Sequence, residues 1–434
     1  MFLTIQRTLH YKLKVMKKLV LTILLSTTVI IAMAQPINDS ISMQTLYTNQ
    51  VFYSFDNGEI SNVTNNNWTI AFSVSGNGAA GSSILLNEAT STLWAYPSDT
   101  AQWNSFDTTN FRSWKRLLNT DTTWTNGAFN VFRGSNGTLD MGWGILNPNN
   151  NFWTFGDSLY LIKLSDNTYR KLWIVSLKTG LWEFKYANVD GSNEQVITFN
   201  KSTYPNKNFV YFDIINNQLI DREPISNSWD LTFTKHTDFV NPPGSYVSVT
   251  SVFSNKTIWS AKAHEADYAS ASTSTTPQTT FTQRIDNIGR EWKKFSSATG
   301  WVVYDSIAYF LYDNDSSFYR IVFTGFGGMS NGKTYFTKEL INTTSIGETT
   351  DDSRIALYPN PAKNNLTLLL NHNKAELLNI AIYNLSGKLI LEQQVISEQG
   401  TQQYNFNVAD LDVGFYVISI KSEGFYVTQK FVKQ

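Results

Sequence analysis

Apolar and polar positions along this chain alternate in short runs, and the period is that of strands rather than helices. Trp68-Thr-Ile-Ala-Phe72 and Trp229-Asp-Leu-Thr-Phe233 alternate bulky with smaller side chains, as half-buried strands do. Ser158 to Leu164, a turn signal at Asp166-Asn167, then Tyr169 to Leu177 reads as strand, turn, strand. Ile307 to Tyr312, Asp313-Asn314-Asp315, then Phe318 to Phe323 repeats that reading. Capped helical periodicity is absent from every long window, and the Ser/Thr/Ala-rich run from Ala263 to Gln278 reads as an exposed loop. The predicted fold class is all-β.

The chain carries an internal duplication. Tyr47, Asn49, Phe52, Phe55 and Asp56 recur at the same spacing as Tyr204, Asn206, Phe209, Phe212 and Asp213. The Trp68 block is then answered by the Trp229 block, Thr92-Leu-Trp94-Ala by Thr257-Ile-Trp259-Ser, and Arg112-Ser-Trp114 by Arg290-Glu-Trp292. Trp153 leads to Asp157-Ser-Leu as Trp301 leads to Asp305-Ser-Ile. The same blocks in the same order imply two tandem, duplicated β-rich domains, expected over residues 35–200 and 201–341. The largest insertion separates Trp114 from Trp153 in the first copy. A polar stretch at 342–353 reads as a linker, because it has little to bury.

Beyond it, residues 354–434 read as a small β-sandwich. Leu366 to Leu370, Leu378 to Tyr383 and Phe415 to Lys421 are its clearest strands, with turns at Ser386-Gly387 and Asp412-Val413-Gly414. Pro359 and Pro361 stiffen the approach and donate no ladder hydrogen bonds.

At 434 residues the chain is long enough for several cores, at roughly 150 residues per domain. The aromatic share of 14% suits pleated surfaces, where flat rings pack well. A formal net charge of −1 leaves no basic field for a nucleic-acid backbone. Lys17-Lys18, an apolar run from Leu19 to Ile31 and Ala32-Met33-Ala34 form a signal peptide over residues 1–34, and Met16 reads as its natural start. That run is short for a permanent membrane span, and no transmembrane helix is expected after it. With no cysteine, disulfides and thiolate chemistry are excluded. No H-E-x-x-H or phosphate-cradling loop is present, and 35 acidic residues nominate no catalytic pair, so an enzyme is not expected.

The tail, with Leu357-Tyr-Pro359-Asn360-Pro361, Ile382-Tyr-Asn-Leu-Ser-Gly387-Lys, Leu411-Asp-Val-Gly414-Phe-Tyr416-Val and a lysine-bearing end, resembles the type A C-terminal sorting domain of the Bacteroidetes type IX secretion system. The resemblance implies passage through the outer membrane to the cell surface or medium. The machinery and its sortase would be partners, and the sortase would remove the tail.

Each body copy is similar to the HmuY-like haem-binding family of the same phylum. The resemblance is carried by the Asn67-Trp68 and Ser228-Trp229 strands and the Asp157 to Leu172 hairpin, ending at Leu181-Trp-Glu-Phe-Lys-Tyr186. In that family haem is clamped axially by two side chains, often histidines. Of four histidines, His10 lies before or within the removed signal and His372 lies in the tail, leaving His236 and His264 as the expected haem ligands. The first copy has Ser75 and Asp99 near the matched positions. A glycan is the alternative ligand, with Trp94, Trp103, Trp114, Trp124 or Trp143 offering ring faces, and a purely structural surface role is the third reading.

Overall fold

The computed structural model describes residues 36–434 other than 79, 241–243, 314–316, 342–353, 373, 385–387 and 423–425. The signal peptide, the linker, Gly387 and the Asn314-Asp315 turn lie outside the described residues. Among those described, strands dominate, in agreement with the expected all-β class. No described helix is long and apolar enough to cross a membrane.

Twelve strands follow one another in the first repeat. They are β1 (Ile37–Ser42), β2 (Asn49–Ser54), β3 (Gly58–Thr64), β4 (Ile70–Ser73), β5 (Ile84–Leu86) and β6 (Thr92–Ala95). Then come β7 (Arg116–Leu117), β8 (Gly144–Asn147), β9 (Trp153–Gly156), β10 (Leu159–Lys163), β11 (Tyr169–Lys178) and β12 (Leu181–Asn188). The second repeat opens with β13 (Gln195–Asn200), β14 (Phe209–Asp213), β15 (Gln218–Ile220), β16 (Leu231–Val240) and β17 (Ser245–Ser254). It continues with β18 (Trp259–His264), α1 (Tyr268–Thr273), β19 (Lys293–Ser296), β20 (Gly300–Val303), β21 (Ile307–Tyr312), β22 (Phe318–Phe326) and β23 (Lys333–Leu340).

The two repeats exchange their opening strands. β1 pairs with β23, and the β2–β3 hairpin pairs with β16, so the start of repeat one completes sheets of repeat two. Reciprocally, β13 pairs with β12, and the β14–β15 hairpin pairs with β4. The matched sheets run β13-β12-β11-β10-β6 and β1-β23-β22-β21-β18, and β15-β14-β4-β5 and β3-β2-β16-β17. The cores follow this exchange. A first lobe, β4 through β15, buries Ile70, Phe72, Trp143, Trp182, Phe184, Val210 and Phe212 in one cluster. A second lobe joins β1–β3 to β16–β23, with Ile41, Val51, Tyr53 and Phe55 packed among Phe233, Trp292, Phe323 and Phe336. The sequence repeats change over near residue 200, whereas the sheets change over near residues 65 and 225.

Two asparagines hold equivalent corners. Asn87 Nδ2 donates to Asn65 O and Trp68 O, while Asn255 Nδ2 donates to Ser226 O and Trp229 O. Trp114 and Trp292 are matched in sequence but part company in space. Trp292 is 1% exposed in the second core, whereas Trp114 is half-buried on an outer face. Trp143, supplied by the long insertion, is fully buried in the first core beside Trp182. That insertion is pinned by Asn130, which accepts from Ile84 N and Gly127 N and donates to Ser82 O and Met141 O. A Cβ on Gly127 would lie 1.9 Å from Ile84 O, so the close approach requires glycine. The expected loop at 263–278 contains α1, because Asp267 caps it by accepting from Ser270 N and Ala271 is buried beneath it.

The tail has two sheets. β24 (Arg354–Tyr358), β25 (Asn365–His372) and β28 (Gly400–Asn407) form one, in the order β24-β25-β28. β26 (Leu377–Asn384), β27 (Leu389–Ile396), β29 (Gly414–Lys421) and β30 (Tyr426–Lys433) form the other, in the order β27-β26-β29-β30. Leu366, Leu368, Leu370, Ile380, Ile382, Ile418 and Phe431 fill the space between them.

Candidate functional site

The two lobes meet across a cleft. On one side stand Trp68, Leu85, Asn87, Glu88, Asn119, Trp124 and the β14 residues Phe209 and Tyr211. On the other stand Gln50, Phe52, Trp229, Thr232, Thr234, His236 and Phe253. The strand exchange brings these walls together, because β2 and β14 each cross to the opposite repeat. Lobe-to-lobe hydrogen bonds line the margins. Trp124 Nε1 donates to Ser254 O at 2.8 Å, Thr237 N to Glu88 Oε2 at 2.9 Å, and Arg222 Nη1 to Gln50 Oε1 at 2.6 Å. The Arg222 guanidinium also lies over the rings of Trp68 and Tyr211, at 5.7 and 5.0 Å from their centroids.

Burial displaces several titratable groups in the walls, Glu88, Glu223 and His236 among them. Glu88 rises to about 7, chiefly through desolvation, against the opposing backbone N–H groups of Thr237 and Asn119. Glu223 also rises to about 7 from the same cause, although it accepts from Asn208 N, Phe209 N and the Tyr211 hydroxyl. His236 falls to about 4 because its ring loses water, so it is neutral at ordinary pH. Its Nδ1 is buried without a hydrogen-bond partner, and its ring lies 5.1 Å from that of Phe253. The cavity volume is 70 Å³, room for a few waters.

The expected haem ligands do not share this cavity. His236 lies within β16, opposite Val249, and faces the cleft. His264 is exposed at the end of β18 and lines a separate depression with Lys262, Glu291 and Tyr304. The indoles put forward for a sugar platform also scatter. Trp143 is fully buried and Trp103 is 4% exposed. Trp94 and Trp114 are half-buried but packed edge-on against Phe111 and Tyr96, at interplanar angles of 87°, in a satellite cluster over the outer face of the first lobe. Only Trp124 of the five lines the cleft, between Phe209 and Phe253. Glu88 and Glu223 carried no sequence signal. What marks them is burial, and that depends on which strands cross between the repeats.

In the tail, the motif residues tie the first strand to the last. Asn360 Oδ1 accepts from Val432 N at 2.8 Å, and Ala362 N donates to Val432 O at 2.7 Å. Tyr416 stacks on Phe431 at 5.4 Å and donates through its hydroxyl to Asp412 O. Gly414 begins β29 with open space where a Cβ would stand. Pro359 and Pro361 flank Asn360, so this turn needs no ladder bonds from those two nitrogens.

Comparison with known proteins bears out the tail. Residues 356–434 match the family described as "Secretion system C-terminal sorting domain". The chain is therefore exported by type IX secretion to the cell surface or extracellular space. Among solved structures, dimeric latent PorU from Porphyromonas gingivalis aligns at 11% identity over 64% of this chain and 31% of its own length, with a TM-score of 0.18. The aligned region thus spans about a third of that chain. No curated protein matches.

Proposed function

We propose that the body is a ligand-binding module, delivered by its sorting tail, with the ligand site in the interlobe cleft. The observation that carries this reading is the convergence of aromatic walls with a few buried polar groups, of which His236 Nδ1 is still without a partner. Apolar walls with sparse, directed polar groups are the usual make-up of a small-molecule site. After export, a sortase would remove the tail, leaving the body attached to the surface or released.

The cleft favours a ligand that inserts a small hydrogen-bonding group, such as the edge of a terminal sugar, over one that must enter whole. Haem needs a site of the usual ligand size, about 300 Å³ or more, so the lobes would have to part to admit it. Only His236 of the expected pair would then reach its iron from the cleft. Absorbance titration of the mature chain with haem, beside a glycan array, tests both ligands. Haem capture would give a band lost in His236→Ala and kept in His264→Ala. Glycan capture would give no colour and be lost in Trp124→Ala. If no haem or glycan binds, or bound ligand is indifferent to both His236 and Trp124, the cleft reading fails.

A further inference from the structure

The first two tail strands are apolar on both faces. Inward-pointing Ile355, Leu357, Leu366, Leu368 and Leu370 belong to the tail's own core. The register pairs Ala356 with Leu369 and Tyr358 with Thr367, so these four share the opposite, outward face. On an isolated tail, Ala356, Tyr358 and Leu369 would stand in water. They are instead 3%, 6% and 4% exposed, because they pack on the outer face of β18, β21 and β22. Tyr358 sits 4.3 Å from the ring of Phe281 and 6.1 Å from that of Tyr312, centroid to centroid. The first lobe covers its equivalent outer face differently, with Trp103 and Phe106 from its own chain excursion over Leu159 and Leu161. Among the described residues, the second lobe places α1 and the Phe281 segment there, and the tail supplies further cover. Beside the contact lies a cleft of 400 Å³, lined by Trp259, Tyr312, Ala356 and Leu369.

We infer that the sorting domain is docked on the second lobe through Ala356, Tyr358 and Leu369, and stays bound there when the chain between Ile341 and Arg354 is cut. Tyr358 belongs to the Leu-Tyr-Pro-Asn-Pro motif of the tail, so the docked state covers part of that motif. Release of the tail then requires undocking as well as cleavage, and undocking bares the Phe281–Tyr312 surface of the body.

The test uses the mature chain with a site-specific protease sequence inserted between Ile341 and Arg354. After complete cleavage at micromolar concentration, gel filtration and surface-immobilised binding read whether the tail remains with the body. Co-elution is expected. Tyr358→Ala and Phe281→Ala should each weaken the complex by roughly 30-fold, as loss of a buried aromatic anchor does. Phe415→Ala, exposed on the tail's other sheet, should leave it unchanged. Phe281→Ala alters only the body, so it guards against misfolding of the tail variant. Separation of the unmutated fragments at tens of micromolar, or a complex indifferent to Phe281→Ala, would overturn the inference.

Discussion

Deleting residues 36–64 removes only the first three strands, yet it should unfold the lobe made mostly of residues 229–340. Those strands place Ile41, Met43, Val51, Tyr53 and Phe55 in the second core, each at most 3% exposed. At about 1.5–3 kcal/mol for each buried side chain, their loss removes roughly 7–15 kcal/mol. That equals the entire stability of an ordinary domain, about 5–15 kcal/mol. Two further costs have the same sign. Lys338, 8% exposed, loses the Phe55 carbonyl at 2.6 Å and Asp39 at 3.4 Å, leaving a buried cation unpaired. β16 and β23 also lose the backbone partners given by β2 and β1.

Residues 66–222 should therefore fold alone, since every strand of the first lobe lies within them. Residues 201–341, one sequence repeat, should not. Near-UV circular dichroism and thermal melting of the two fragments and of the deletion read this directly. Restoration of a cooperative transition in the deletion by a synthetic 36–66 peptide would strengthen the case. A fragment 201–341 that melts cooperatively near the temperature of the intact body would refute the reasoning.

Other consequences follow from single groups. Glu88 and Glu223, raised to about 7, hold protons in the folded state that the unfolded state releases above about 4.5, so their contribution to stability falls as pH climbs from 4.5 to 7. His236, depressed to about 4, works oppositely between 4 and 6.5, because there the unfolded state binds the extra proton. Two losses against one gain leave a net decline, and Glu223→Gln should flatten the slope by about 1.4 kcal/mol per pH unit in urea unfolding at pH 5, 6 and 7; an unchanged slope would count against it. Asn255→Ala removes the side-chain donor to Ser226 O and Trp229 O and should cost about 2–4 kcal/mol, read by hydrogen exchange chiefly in the second lobe. Asn87→Ala should do the same to the first lobe, and equal protection loss in both lobes would contradict the division of cores. Asn130→Ala should unfasten the long insertion, lowering protection at Ile84 and Gly127 before the rest of that lobe.

The duplication was legible because its blocks are large apolar residues at fixed spacing, and those blocks became strands and corners. Trp68 and Trp229, 8% and 2% exposed, are one such pair. The exchange was not legible, since β2 would bury Val51 and Tyr53 equally well against its own repeat or the other. Pairing partners are a property of chain reach and turn direction, neither of which periodicity encodes. The same gap hid the cleft. His236 was visible as a residue near a strand end, but its desolvation arises from Phe253 and from a wall contributed by the first lobe. Trp143 shows the converse error: an indole in an insertion reads as a surface ring, and here it is fully buried in the first core. The sorting tail was legible throughout its motif, because Asn360 and Tyr416 act through short-range contacts with fixed neighbours.

The most direct test of the cleft as the ligand site is fluorine NMR of the mature chain labelled with 5-fluorotryptophan, titrated with haem and with mono- and disaccharides. The thirteen indoles report on both lobes, and Trp124 is assigned by its loss in Trp124→Phe. A ligand bound in the cleft should shift Trp124, Trp68 and Trp229 while leaving Trp153, on the far side of the first lobe's sheet, in place. Binding that moves other indoles and spares Trp124, or a set of ligands none of which moves it, would contradict the account.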